Sequence, residues 1–112
     1  MKIYLSGPVT GTEDAKERFA NAEKALLASG HEVINPLSIC ECMPESTTWA
    51  EYMDITLAAM KRADAVYMMK GWERSHGATI EYHYAVGAGM TVYYDVLRCT
   101  TSFRRRRSDG SV

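Results

Sequence analysis

The sequence predicts an α/β fold, a doubly wound and mainly parallel sheet with helices on both faces. Three observations carry that expectation. Four short, almost continuously apolar runs alternate with amphipathic stretches of helical length, the pattern of strands covered on both faces. The first three runs stop at a glycine or proline, as strands do where the chain turns back over a sheet. The length of 112 residues suits one domain with a real core and no second one. Right-handed crossovers leave few topologies, of which strand order 2-1-3-4 is expected, with a switch point between the first and third strands.

The elements follow in order. "KIYLSG" is the first strand, ended by Gly7-Pro8. A helix is expected next, with Thr12 as its N-cap, Glu13 and Asp14 in the first turn, and Phe19, Ala22, Ala25 and Leu26 on its inward face. Gly30 closes it as a C′ glycine. "HEVINP" is a second strand stopped by Pro36, and residues 37–47 read as a loop without periodicity. The second helix opens at Thr48 and Glu51, which have capping-box spacing, and turns Met53, Leu57 and Met60 inward. "DAVYMM" is the third strand and "KGWERS" a loop. "HGATIEYHYAVGAG" is the third helix, with Ser75 as N-cap, and "MTVYYDV" is the fourth strand. One domain is thus expected over residues 1–97, and a basic, disordered tail over 98–112.

Composition narrows the function classes. A hydrophobic fraction of 46%, a charged fraction of 24% and a net charge of −1 describe an ordinary globular protein. No overall field argues for nucleic acid, and "RRRR" at 104–107 reads as a solvated tail rather than a nucleic-acid arm. No run approaches the roughly 20 apolar residues of a membrane span, and "MKIYLSGP" is too short for a secretory core. Three cysteines, Cys40, Cys42 and Cys99, lack the spacing of a disulfide framework, so the cytoplasm is the expected location. "CEC" at 40–42 lacks a second ligand pair, so no metal and no cofactor is expected.

In open α/β sheets ligands bind beyond the carboxyl ends of the strands, at the switch point. The polar punctuation collects there: Ser6, Gly7 and Gly11 after the first strand, Asn35 after the second, and Trp72 after the third. Ser75 and Gly77 then open a helix whose free N–H groups make an anion site, with one phosphate as the obvious occupant. Glu81 lies in that helix on a stripe of small residues, Ala78, Ala85 and Ala88, which should face the sheet. A carboxylate that only complemented the helix dipole would sit outside. On the adjacent first strand, Tyr4 has a hydroxyl able to reach it. Trp72 stands as either a base-stacking ring or a loop anchor, while Asn35 either touches a ligand or satisfies the turn before Pro36. Trp49 is expected in the core, Asp64 in local hydrogen bonding, and His76 and His83 at the surface.

"KIYLSGP", the Asn-Pro after the second strand, "ADAVYMM" and above all "SHGATIEYHYA" resemble the nucleoside 2-deoxyribosyltransferase-like superfamily. That group includes deoxyribosyltransferases and nucleoside 5′-monophosphate N-glycosidases, and the "GWERSHGA" form is similar to a small bacterial and phage branch. The resemblance spans roughly residues 2–95. It implies a flavodoxin-like fold and retaining attack on the anomeric carbon, with Glu81 as nucleophile, Tyr4 orienting it and Ser75 reading the sugar's 5′ end. Ser6, Gly7 and Gly11 match the rim.

One departure stands out. Where the family carries an acidic residue on the second helix, this chain has Thr56, and Asp54 lies about 200° away around the helix. Either Asp54 takes the role through a register change, or the leaving base has no proton donor. The expected activity is therefore N-glycosidic cleavage or transfer on a (deoxy)nucleoside 5′-monophosphate or related nucleotide. The alternative is a protein that binds or sequesters a nucleotide without turnover, a role that would suit a phage. A small-molecule nucleotide or nucleoside is the expected partner. Tyr82, Tyr84 and Tyr93, together with the resemblance, point to a homodimer or larger assembly, in which a neighbour's Tyr93, Tyr94 and Asp95 would complete the site.

Overall fold

The computed structural model describes residues 1–9 and 13–95, together with the backbone of 104–106. Its order is β1 (Lys2–Ser6), α1 (Ala15–Ala28), β2 (Glu32–Ile34), α2 (Pro36–Cys40), α3 (Trp49–Met60), β3 (Ala65–Met68), a 3₁₀ turn (Trp72–Arg74), α4 (His76–Gly87), β4 (Thr91–Tyr94) and β5 (Arg104–Arg106). The strands run β2-β1-β3-β4-β5, the first four parallel and β5 antiparallel against β4. The doubly wound order 2-1-3-4 is as the sequence predicts. Chain direction across the sheet reverses between β1 and β3, where Tyr4 pairs with Val66 and Ser6 with Met68.

Alternate strand residues feed two separate cores. Ile3, Leu5 and Ala65 pack with Phe19 and Leu26 of α1 on one face. On the other, Tyr4, Val66, Met68 and Val92 pack with Met60 of α3 and with Ala78 and Ala85 of α4. Ala78 and Ala85 do bring α4 onto the sheet, with Glu81 buried between them, whereas Ala88 is the exposed C-cap.

Several local expectations change. Helix α1 begins at Ala15, with Asp14 as N-cap, two residues later than a Thr12 cap would place it. Asp14 makes no side-chain capping bond but pairs with Arg18, whose Nε lies 3.0 Å from Oδ1. Thr12 and Gly11 lie outside the described residues. Residues 37–47 are not all loop, because Pro36–Cys40 forms a short helix. Asn35 caps it, accepting from the Leu37 N–H at 3.0 Å, and Pro36 supplies a first helical residue that needs no donor. The capping box of α3 forms as expected between Thr48 and Glu51.

Within the segment expected to be a disordered tail, Arg104–Arg106 lie as an edge strand; residues 96–103 and 107–112 are outside the described residues. Of the three tyrosines taken as surplus aromatic surface, Tyr93 is buried and Tyr82 packs against Trp72. Tyr84 is exposed, with the Lys61 ammonium over its ring. No helix among the described residues is long and apolar enough to cross a membrane.

Candidate active site

The carboxyl ends of β1 and β3 open into a cleft of about 700 Å³, within the range of small-molecule sites. Its walls come from the β1–α1 connection, α2, α3 and the N-terminal turn of α4. Glu81 forms the floor. Its side chain reaches back to β1, where the Tyr4 hydroxyl donates to Oε2 at 2.5 Å and the Ser6 hydroxyl donates to Oε1 at 2.6 Å. Tyr4 and Ser6 share a face because they are two residues apart on a strand, so a single strand grips both carboxylate oxygens. Ser6 was expected at the rim of the phosphate site, and its 1% exposure places it under the carboxylate instead.

Burial pushes the Glu81 carboxyl above the usual carboxylate range, against hydrogen bonds from Ser6 and Tyr4 and the nearby Thr56 hydroxyl, which draw it down. The Tyr4 phenol is held far above its ordinary value, first by burial and then by the neighbouring Glu81 charge. It therefore acts as a fixed donor. The Cys40 thiol in the α2 wall is raised by burial, then by Cys42 and Glu81.

The approach to that floor depends on close backbone packing. A Cβ at Gly7 would fall 2.8 Å from Cβ of Met69, so the ends of β1 and β3 meet only because position 7 is bare. Gly71, with φ +86°, turns the chain from β3 into the 3₁₀ turn. Ser75 then caps α4, accepting from the Ala78 N–H at 3.2 Å. The cap uses a lone pair and leaves the hydroxyl hydrogen to donate. Beside it, the N–H groups of His76 and Gly77 meet no acceptor among the described residues. Arg74, Ser75, His76 and Gly77 all line this end of the cleft, so it combines free donors with a full positive charge.

Three positions left open between a role in the site and another one take the other. Asp54 is exposed and away from the cleft, while Thr56 takes the inward position, 7% exposed. The helix keeps its register, so Asp54 does not move into the acid's place. Trp72 packs against Tyr82, ring centroids 4.5 Å apart, and anchors the loop rather than entering the cleft. Asn35 spends its oxygen on the α2 cap and donates its Nδ2 to Glu23 Oε1 at 3.0 Å. Conversely, Trp49 is not core: it is 48% exposed, lines the cleft and stacks on His76 at 5.1 Å. Its position at the first turn of α3, opposite Ser75, was the available signal.

Asp64 does bond locally, accepting from the Lys2 N–H at 2.8 Å. Among the described residues, no three His, Cys, Asp or Glu side chains gather as a metal site.

A protein-family model described as a domain of unknown function, DUF4406, matches residues 1–94. Among solved structures, the chain is similar to 2-deoxyribosyltransferase from the psychrotolerant bacterium Bacillus psychrosaccharolyticus, at 20% sequence identity and a TM-score of 0.65. The match covers 89% of this chain and 77% of that one. No curated protein matches the sequence. The two chains share a fold, as the sequence resemblance implied.

Proposed function

The chain belongs to the DUF4406 family, and from its cleft we propose an N-glycosidase or glycosyl transferase acting on a (deoxy)nucleoside 5′-monophosphate or related nucleotide. One observation carries the reading: a buried carboxylate, gripped on both oxygens by Tyr4 and Ser6, forms the floor of a ligand-sized cleft. A carboxylate so fixed serves as a nucleophile, with Glu81 adding to the anomeric carbon as the base departs. The resulting glycosyl ester then passes to water or to another acceptor. The shared fold with a 2-deoxyribosyltransferase supports the same chemistry.

At one end of the cleft Ser75 donates to the phosphate beside the free N–H groups of α4, and Arg74 supplies countercharge. Trp49, stacked on His76, walls that same end. A homodimer in the cytoplasm remains the expected setting, checked by light scattering at tens of micromolar.

Thr56 in the acid's position supports the second reading, a protein that binds a nucleotide without turnover. Incubation with a nucleotide panel, followed by chromatography and mass spectrometry, separates the two. Released base identifies the enzyme, and intact bound nucleotide the binder.

A further inference from the structure

The surroundings of Glu81 bear on what kind of base can leave. Among the described residues lining the cleft, Glu81 is the one carboxylate. Its close neighbours are hydroxyls: Tyr4 and Ser6 donate to it, and Thr56 stands where a second acid would be. Asp54 is exposed and outside the cleft. The Cys40 thiol is a weakened acid. The His76 imidazole lies stacked on Trp49 beside Ser75, at the end of the cleft assigned to phosphate. Asp95, expected to complete a neighbour's site, is bonded to Tyr67 of its own chain, so among the described residues the nucleophile is well provided for and the leaving group is not.

An ordinary nucleobase departs poorly without a proton, and a positioned acid is worth about 10²–10⁴ in rate. A base that already carries positive charge on its ring needs none. We propose that the substrate class is a nucleotide with a quaternised heteroaromatic base, such as a pyridinium or an N-alkylated purine. This proposal rests on the N-glycosidase reading of the same site.

The step balances without an added acid. A Glu81 carboxylate oxygen forms a bond to C1′ as the C1′–N bond breaks. The bonding pair moves onto the ring nitrogen and cancels its positive charge, so the base leaves neutral. Water then attacks C1′ of the glycosyl ester, its proton passes to solvent, and the carboxylate is regenerated.

The test uses the full chain and a matched pair, 7-methyl-2′-deoxyguanosine 5′-monophosphate and 2′-deoxyguanosine 5′-monophosphate, with nicotinamide mononucleotide as a pyridinium probe. Base release is followed by chromatography. The expected result is a kcat/KM at least about 100-fold higher for the 7-methyl member, with nicotinamide also released. Thr56→Asp restores an acid and should narrow the kcat/KM ratio between the two members by about tenfold or more, whatever it does to the absolute rates. The parent protein alone decides the matter if that variant does not fold. Comparable release from both members of the pair would mean that another donor serves the site, and would overturn the inference while leaving the glycosidase standing. Release from none of the three would overturn the glycosidase reading and this inference together.

Discussion

The two faces of the sheet are built from alternate residues of the same strands, and they do different things. Toward α1, Ile3, Leu5 and Ala65 meet Phe19 and Leu26 in an apolar layer. Toward α3 and α4, the neighbouring positions bring Tyr4 and Ser6 against Glu81. A buried carboxylate costs stability unless it is bonded, and this one is bonded on both oxygens yet still holds its proton more tightly than in water. Both faces bury an apolar layer, but the α3–α4 face also holds a carboxylate where a ligand can meet it. The contrast teaches that Glu81 is tolerated because hydroxyls of β1 bond it inside an otherwise apolar layer.

The largest expected effect breaks the chemical face alone. Glu81→Gln keeps the shape but removes the attacking charge, so base release should fall by roughly a thousandfold or more while nucleotide still binds. Turnover within threefold of the parent would remove Glu81 from the mechanism. Next comes Ser75→Asp, which places a carboxylate where the phosphate is expected. Like charges about 4 Å apart cost about 4 kcal/mol at an effective dielectric near 20, roughly a thousandfold in affinity. Calorimetry should show the preference for nucleotide over nucleoside present in the parent and lost in this variant. Equal affinity for the two ligands in the parent would return free nucleosides to first place.

Leu26→Ala tests the opposite face. Leu26 is 1% exposed and lies outside the cleft, so truncation should cost about 2–5 kcal/mol in urea unfolding. Affinity of the folded protein should stay within about twofold, and a larger change would show that the two faces are coupled. The smallest effect is one of pH. Burial raises the folded Glu81 carboxyl above its unfolded value. Its contribution to stability is therefore full below the unfolded pKa, near 4.3 in model peptides, and is lost as pH rises through the folded value. Glutamine does not titrate, so Glu81→Gln should melt roughly a few degrees above the parent at pH 8, with the gap closing toward pH 4. A constant gap across that range would mean that Glu81 is not desolvated. For the same reason, the acid limb of activity should lie above the ordinary carboxylate range.

Legibility in the sequence followed the physical strength of each signal. Four strands and three long helices announce themselves because near-continuous apolar runs end at turn residues and period 3.6 persists over several turns. Helix α2 has only Pro36–Cys40, too short for a period, and its trace was the Asn-Pro pair that caps it. Glu81 was legible because a carboxylate on an alanine stripe conflicts with its surroundings. Ser6 was half legible: its place at the end of β1 was plain, but a strand's tilt toward the helix above decides whether its hydroxyl meets a ligand or Glu81. The places of the two tryptophans were not legible because a ring's neighbours come from other elements. Tyr82 of α4 claims Trp72, and His76 holds Trp49 at the rim.

The hydrogen bonds that fix Glu81 span 77 residues to Tyr4 and 75 to Ser6, with β1 at the middle of the four parallel strands. During synthesis at roughly 5–20 residues per second, Glu81 joins the chain about 4–15 s after Tyr4. In that interval the central strand has no carboxylate to receive its hydroxyls. Contacts so distant in sequence form late, after the loops between them have closed. Glycosidase activity would then appear with the completed fold and not before it. A nascent chain carrying Tyr4 and Ser6 but not yet α4 lacks the carboxylate that those hydroxyls hold.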